Sequence, residues 1–185
     1  MIFSNLLRGE RIRLTALTSK DLITVAGWHE DADFLRMVDA RPATPQTEEL
    51  LTQWLEERYK ATDAFVLAVR GKSSDDLIGV IEFEGILWTH QVSWMSVAIG
   101  NRSNWGKGYG YDAMQLALIF AFDELNLYRV QLTVFSYNER AIALYEKLGF
   151  HREGVYRQFL QRDGKRYDMY LYGLLRPEWE KVKTH

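Results

Sequence analysis

The sequence predicts an α/β (α+β) domain built around one mixed sheet. Three observations predict it. Strand-like runs are interleaved with amphipathic helical runs, hairpin signatures stand in the middle and at the end of the chain, and 185 residues suit one compact domain. With 47% hydrophobic and 26% charged residues, the composition is that of a folded protein with a real core, which excludes wholesale disorder, collagen and coiled coil.

Taken in order, Arg11-Ile12-Arg13-Leu14 alternates like a half-exposed strand. Thr18 or Ser19 then caps a helix whose apolar face is Leu22, Val25 and Ala26. A second helix is punctuated by Thr44 as cap and Pro45 at the first helical position, and Leu50, Leu51, Trp54, Leu55 and Tyr59 recur at helical spacing. Phe65–Val69 leads through a turn at Gly71–Asp76 into Leu77–Ile81, a hairpin, and Val92–Ile99 alternates again. After a glycine cluster comes an amphipathic run from Tyr109 to about Leu125, with Ala113, Leu116, Ala117, Phe120 and Ala121 on one face. Val130–Val134 is a strand, Asn138 to Leu148 a helix, and Val155–Leu160 with Tyr167–Leu175 forms a hairpin turning at Asp163-Gly164.

Charge and residue types narrow the function. A net charge of −2 argues against direct nucleic-acid binding. No window reaches the length of a membrane span and the start lacks a signal-peptide pattern, so a soluble cytoplasmic protein is expected. Cysteine is absent, which removes disulfides, thiolate metal sites and a cysteine nucleophile, and the histidines and carboxylates show no metal-ligand spacing. The charge is uneven: residues 1–100 carry ten basic and fifteen acidic side chains, whereas residues 101–185 carry thirteen and ten. The split reads as two faces of one domain, an acidic one and a basic one.

The strongest local signal is Trp105-Gly106-Lys107-Gly108-Tyr109-Gly110, after a strand and opening a helix. Glycines let the backbone approach a ligand closely, and unpaired N–H groups at a helix start attract anions. Lys107 adds positive charge, so the loop suits a pyrophosphate. It is not a Walker loop, since Tyr109 follows Gly108 where Ser or Thr is required, and its G-x-G-x-G spacing differs from the dinucleotide fingerprint. The second signal is Asn138-Glu-Arg-Ala-Ile-Ala-Leu-Tyr145-Glu-Lys-Leu-Gly149-Phe150, a capped helix ending in a glycine stop.

In this order and spacing the two segments resemble the GCN5-related N-acetyltransferase (GNAT) superfamily. The acetyl-CoA loop of that family, Arg/Gln-x-x-Gly-x-Gly/Ala, is matched at Gly108 and Gly110, with Trp105 replacing the Arg or Gln. The Asn-x-x-Ala-x-x-Leu-Tyr-x-x-x-Gly-Phe pattern is matched at every fixed position. The flanks Leu6–Leu14, Glu153–Arg157 and Arg162–Asp168 are similar to the ribosomal-protein N-terminal acetyltransferase (RimJ/RimL-like) branch. The resemblance implies one domain over residues 1–185, with a central mixed, mostly antiparallel twisted sheet of about six or seven strands and helices on both faces. Residues 1–91 would form mainly the substrate side, 92–150 the acetyl-CoA core and 151–185 a C-terminal hairpin.

It also implies direct transfer of an acetyl group from acetyl-CoA to a primary amine, on a protein N-terminus or a small molecule, by a monomer or homodimer without metal. Trp105, Gly106, Lys107, Gly108, Tyr109 and Gly110 would hold the pyrophosphate, Ser96, Val97, Ala98 and Ile99 would pair with the pantetheine amides, and Asn138 would bind the same arm. Tyr145 is the implied general acid. Some N-terminal acetyltransferases place a glutamate base where this chain has Thr133. Glu82 is therefore the first candidate base, on one strand face with Glu84, and Ser96, His90 and Asp168 are weaker ones. Trp28, Glu30, Asp31, Asp33, Phe34, Asp39, Trp54, Glu56 and Glu57 suggest an acidic and aromatic wall for a cationic amine, although Trp54 reads most simply as core. The alternative is a non-catalytic acetyl-CoA sensor or scaffold.

Overall fold

The structure, a computed structural model, describes residues 6–183; the short apolar stretch that opens the sequence lies largely outside the described residues. Seven strands form one sheet in the order β1-β2-β3-β4-β5-β7-β6. They are β1 (Ile12–Ala16), β2 (Phe65–Gly71), β3 (Leu77–Leu87), β4 (Val92–Ile99), β5 (Arg129–Phe135), β6 (His151–Arg162) and β7 (Lys165–Leu175). Every neighbouring pair is antiparallel except β4 with β5, so the sheet is mixed and mostly antiparallel as the resemblance implies. The parallel pair is the one that needs a crossover, and the helix α4 (Tyr109–Ile119) supplies it, extended by a wider turn over Phe120–Glu124.

Helices cover both faces. On one, α4 and α5 (Glu139–Lys147) bury Ala113, Ala117 and Tyr145 against Phe83, Met95 and Leu132. On the other, α1 (Leu22–Trp28), α2 (Ala32–Val38) and α3 (Glu48–Lys60) bury Leu22, Trp28, Phe34 and Leu55 against Val66 and Ala68. The two faces follow from strand alternation: Ile81 and Phe83 point into the first core, while Val80 joins the second. Gly100, just after β4, lets α1 lie close, because a Cβ there would fall 1.9 Å from the Trp28 ring.

Two local expectations change. The long third helix starts at Glu48 under a Thr47 cap, whose Oγ1 accepts from the Leu50 N–H at 3.3 Å, and not at Pro45 under Thr44. Thr47 is followed by Glu48 and Glu49, which favour the positive end of a helix, and this places the start three residues later. Of its expected buried face, Leu51 and Leu55 are buried, Trp54 is half-buried, and Leu50 and Tyr59 are exposed. Secondly, α2 and a terminal α6 (Arg176–Lys183) are additional helices. The α2 start is fixed by Asp31, whose Oδ1 accepts from the Asp33 and Phe34 N–H groups. The closing hairpin is longer than its sequence signature, and it turns through Asp163 and Gly164, both at positive φ, as a two-residue hairpin loop requires.

Candidate active site

The parallel seam is short. β4 and β5 pair only over Val92–Trp94 with Arg129–Gln131 and then part, while β4 stays on β3 and β5 on β7. A cavity of about 450 Å³ opens where they separate. Its strand walls are Val97, Ala98 and Ile99 on one side and Thr133, Val134 and Phe135 on the other. Asn138, Arg140, Ala141, Leu144 and Tyr145 of the α5 segment and Gly106, Gly108, Tyr109, Gly110 and Tyr111 line it from the face of α4 and α5. Phe34, Met37 and Val38 of α2 line it from the opposite face. The opening therefore passes through the sheet from one helical layer to the other.

The glycine loop forms one end. Gly108 caps α4 with φ at +84°, a left-handed conformation that glycine adopts without strain. The first α4 backbone bond runs from the Asp112 N–H to the Gly108 carbonyl at 3.1 Å, so the N–H groups of Tyr109, Gly110 and Tyr111 have no carbonyl within the helix to bond. Those donors, together with the dipole of an eleven-residue helix, make an anion site. Arg11 braces the loop: its Nη1 donates to the Lys107 carbonyl at 2.9 Å, and its Nε pairs with Asp112 at 2.7 Å. Trp105, which takes the place of the family's Arg or Gln, donates its indole N–H to the Ile99 carbonyl at 2.7 Å. Arg140 stacks on the Trp105 ring, 4.6 Å from its centroid. Lys107 and Ser96 lie outside the cavity wall, and Ser96 is exposed on the α3 side.

Asn138 both caps α5, where its Oδ1 accepts from the Ala141 N–H at 3.2 Å, and lines the cavity. The cap uses only the amide oxygen, so its N–H donors are not consumed there. Tyr145 is buried against Phe150 and Tyr172, and burial pushes its phenol up to about 12. No other group among the described residues bonds its hydroxyl, although the residue lines the cavity.

Glu82 stands opposite Ser96 on the paired strand, on the face of the sheet covered by α3. Arg58 of α3 makes close ion contact with Glu82 and bonds Glu84 at 2.9 Å. The Arg58–Glu82 contact is close but not aligned as a hydrogen bond, and Glu82 Oε1 is buried without a donor. Burial raises the Glu82 carboxyl to about 7; Arg58 opposes that rise and Glu84 adds to it. Glu82 is not among the residues that line the cavity; Asp168 accepts from the Gln158 N–H on the hairpin and His90 sits exposed in the β3–β4 turn, so neither of these lines it either.

The expected acidic wall is largely absent from the cavity. Of its nine residues only Phe34 lines the opening, joined by Met37 and Val38, which carry no sequence signal beyond being apolar. Asp31 and Asp33 are held by Arg102, and that guanidinium draws the Asp31 carboxyl down to about 2. At the other end of α2, Arg36 forms a two-pronged pair with Asp163 at the hairpin tip, both contacts at 2.9 Å. The Tyr137 hydroxyl donates to the Arg36 carbonyl, and Arg162 donates to the carbonyls of Asp39, Ala40 and Arg41. α2 is thus a crossbar tied to the segment after β4 and to the elements beyond β5.

The sequence profile of the acetyltransferase (GNAT) domain matches residues 11–151. The chain belongs to the GNAT acetyltransferase family. The activity that goes with this membership is N-acetyl transfer. The SPbeta prophage-derived uncharacterized N-acetyltransferase YokL of Bacillus subtilis (strain 168) is 29% identical to this GNAT chain, over 93% of it and 94% of the relative. The ribosomal protein uS5-alanine N-acetyltransferase of Escherichia coli (strain K12) is 26% identical, over 68% of this chain and 64% of its own. Among solved structures, a spermidine N-acetyltransferase from Vibrio cholerae in complex with CoA and spermine shares the GNAT fold at a TM-score of 0.84, covering 92% of this chain and 98% of that one at 22% identity.

Proposed function

We propose that this GNAT protein moves an acetyl group from acetyl-CoA directly to a primary amine, with Glu82 taking the amine proton and Tyr145 donating to the departing sulfur. The observation that carries the reading is the parted β4–β5 seam, which has free helix-start N–H groups at one end and the Tyr145 side chain on its wall. When bound, acetyl-CoA supplies the activated acyl thioester. The residues present fit it: the N–H groups of Tyr109, Gly110 and Tyr111 would hold its pyrophosphate, with Gly106, Lys107 and Gly108 forming the bend that leads to them. Beyond Trp94, β4 has no β5 partner, so the backbone of Val97–Ile99, apart from the Ile99 carbonyl that Trp105 occupies, would be available to the pantetheine amides, and Asn138 would donate from the opposite wall. Trp105 acts through its bond to Ile99, fixing the loop to the end of β4.

On this reading residues 92–150 serve the cosubstrate, residues 1–91 mainly the acceptor, and residues 151–185 close the sheet and anchor α2. Tyr145 at about 12 stays protonated throughout. It is a weaker acid than a free thiol of about 8.5, so its contribution is a hydrogen bond to the sulfur as negative charge builds there. The proton count is balanced by the acceptor nitrogen, whose proton would pass to Glu82 through a water, since Glu82 stands outside the cavity wall. With a carboxyl near 7, Glu82 accepts and releases protons readily at neutral pH.

Within the family we assign the chain to the RimJ/RimL-like branch, which the relation to the uS5-alanine enzyme supports. A reducing cytoplasm suits a chain without cysteine. The test is release of free CoA thiol from acetyl-CoA, measured over a panel of amines and N-terminal peptides. Release with at least one amine is expected. Tight CoA binding with no release for any amine would instead favour the sensor or scaffold reading, and no CoA binding would remove both.

A further inference from the structure

The cavity wall carries one charged side chain. Among the described residues Arg140 is the only cation that lines it, and no carboxylate does. The other cations around the glycine loop are engaged elsewhere or stand off the wall. Arg11 is paired with Asp112, Arg102 is paired with Asp31 and Asp33, and Lys147 lies 4.4 Å from the centre of the Tyr111 ring. Lys107 is exposed and lines no part of the cavity. Arg140 makes no ion pair with any described residue, so its charge is not yet spent.

The guanidinium is nevertheless held in place. It stacks 4.6 Å from the centre of the Trp105 ring, and that ring is fixed by its indole N–H, which donates to the Ile99 carbonyl at 2.7 Å. An indole face is the best aromatic seat for a cation, and a planar guanidinium seated on it keeps N–H groups at its edge to donate. Trp105 directly precedes Gly106–Gly110, and Arg140 stands in the first turn of α5, so the ring joins the charge on α5 to the loop that opens α4. A pyrophosphate carries full negative charges, whereas helix-start N–H groups offer partial positive ones. A guanidinium adds a full charge and two parallel donors, and one already stacked loses less freedom on meeting an anion than a solvated lysine does. We infer that Arg140 is the charged contact to the CoA pyrophosphate and that Trp105 is the residue that positions it. This inference rests on the acetyl-CoA reading and deepens it by naming which side chain supplies the charge.

The test is calorimetric titration of the full chain with CoA and with 3′-dephospho-CoA, which keeps the pyrophosphate but lacks the 3′-phosphate. Arg140→Gln is expected to raise Kd about tenfold for both ligands, with a smaller factor as KCl is raised from about 0.05 M to about 0.5 M. Arg157→Gln, an equal loss of charge at an exposed position on β6, is expected to leave both Kd values unchanged. Trp105→Leu is expected to weaken binding about threefold in the wild-type background and by less than that in the Arg140→Gln background, because its effect runs through Arg140. An unchanged Kd in Arg140→Gln, or a loss seen with CoA but not with 3′-dephospho-CoA, would overturn the pyrophosphate contact. Equal effects of Trp105→Leu in the two backgrounds would overturn the positioning role. Wild-type protein that binds neither ligand would overturn the acetyl-CoA reading itself.

Discussion

Replacing Glu82 with glutamine tests the assigned base in two independent ways, because the raised carboxyl affects both rate and stability. Burial lifts this group from the ordinary 4.5 to about 7, so the folded protein holds the proton more tightly than the unfolded chain does. The stability contributed by that proton is full below about pH 4.5, declines as the pH rises, and is gone above about pH 7. The gap of about 2.5 pH units corresponds to about 3 kcal/mol, at about 1.4 kcal/mol per unit. Glutamine has no such proton to lose. The stability of Glu82→Gln minus that of the wild type should therefore increase by about 3 kcal/mol between about pH 4 and about pH 8, read by urea denaturation across the range.

In the rate assay, the ratio of wild-type to variant kcat/KM removes ionisation of the amine substrate, which is common to both proteins. That ratio should rise about tenfold per pH unit below pH 7 and level off above it, at a plateau of about 10²–10⁴. A stability difference independent of pH would refute the buried, proton-holding carboxyl. A flat ratio near one would refute Glu82 as base, whatever the stability result.

Tyr145→Phe keeps the ring packing against Phe150 and Tyr172 but removes the hydroxyl, and should lower kcat about 10²-fold with CoA affinity unchanged by calorimetry. Gly100→Ala drives a methyl group to 1.9 Å from the buried Trp28 ring, and should cost about 3 kcal/mol or more, seen as a lowered unfolding midpoint. Arg102→Gln releases Asp31, whose carboxyl should climb from about 2 toward the ordinary aspartate range in an NMR titration. The same change should speed hydrogen exchange in α2, since one of its two end ties is lost.

The proposed cofactor half of the site is legible in the sequence because its features are local along the chain. Asn138 caps the helix it begins, and Gly149 ends that helix at φ +89°. Trp105–Gly110 join a strand end to a helix start within a few residues, so spacing alone indicated an anion cradle. The acceptor half depends on contacts between distant segments. Arg102 reaches Asp31 and Asp33 across some seventy positions, and Arg36 reaches Asp163 across 127, so carboxylates that look free along the chain are paired in space. α2 is only seven residues long, too short for its periodicity to stand out, so of its cavity-lining side only the aromatic Phe34 is legible in the sequence, and Met37 and Val38 are not. Strand alternation makes Glu82 a candidate base in the sequence, but its partner Arg58 sits on a helix whose face cannot be matched to that strand from the sequence.

The three-residue seam between β4 and β5 makes the sheet two panels, four strands and three strands wide, joined like the covers of a book at the spine. α2 spans the fore-edge, tied to the region after β4 and to the hairpin tip beyond β7. A molecule lying between the covers touches both at once, so its occupancy and the angle between the panels are a single variable. On the proposed placement, each contact that CoA would make with Val97–Ile99 on one side and α5 on the other resists the same hinge, and the protein should stiffen across its full width when CoA binds.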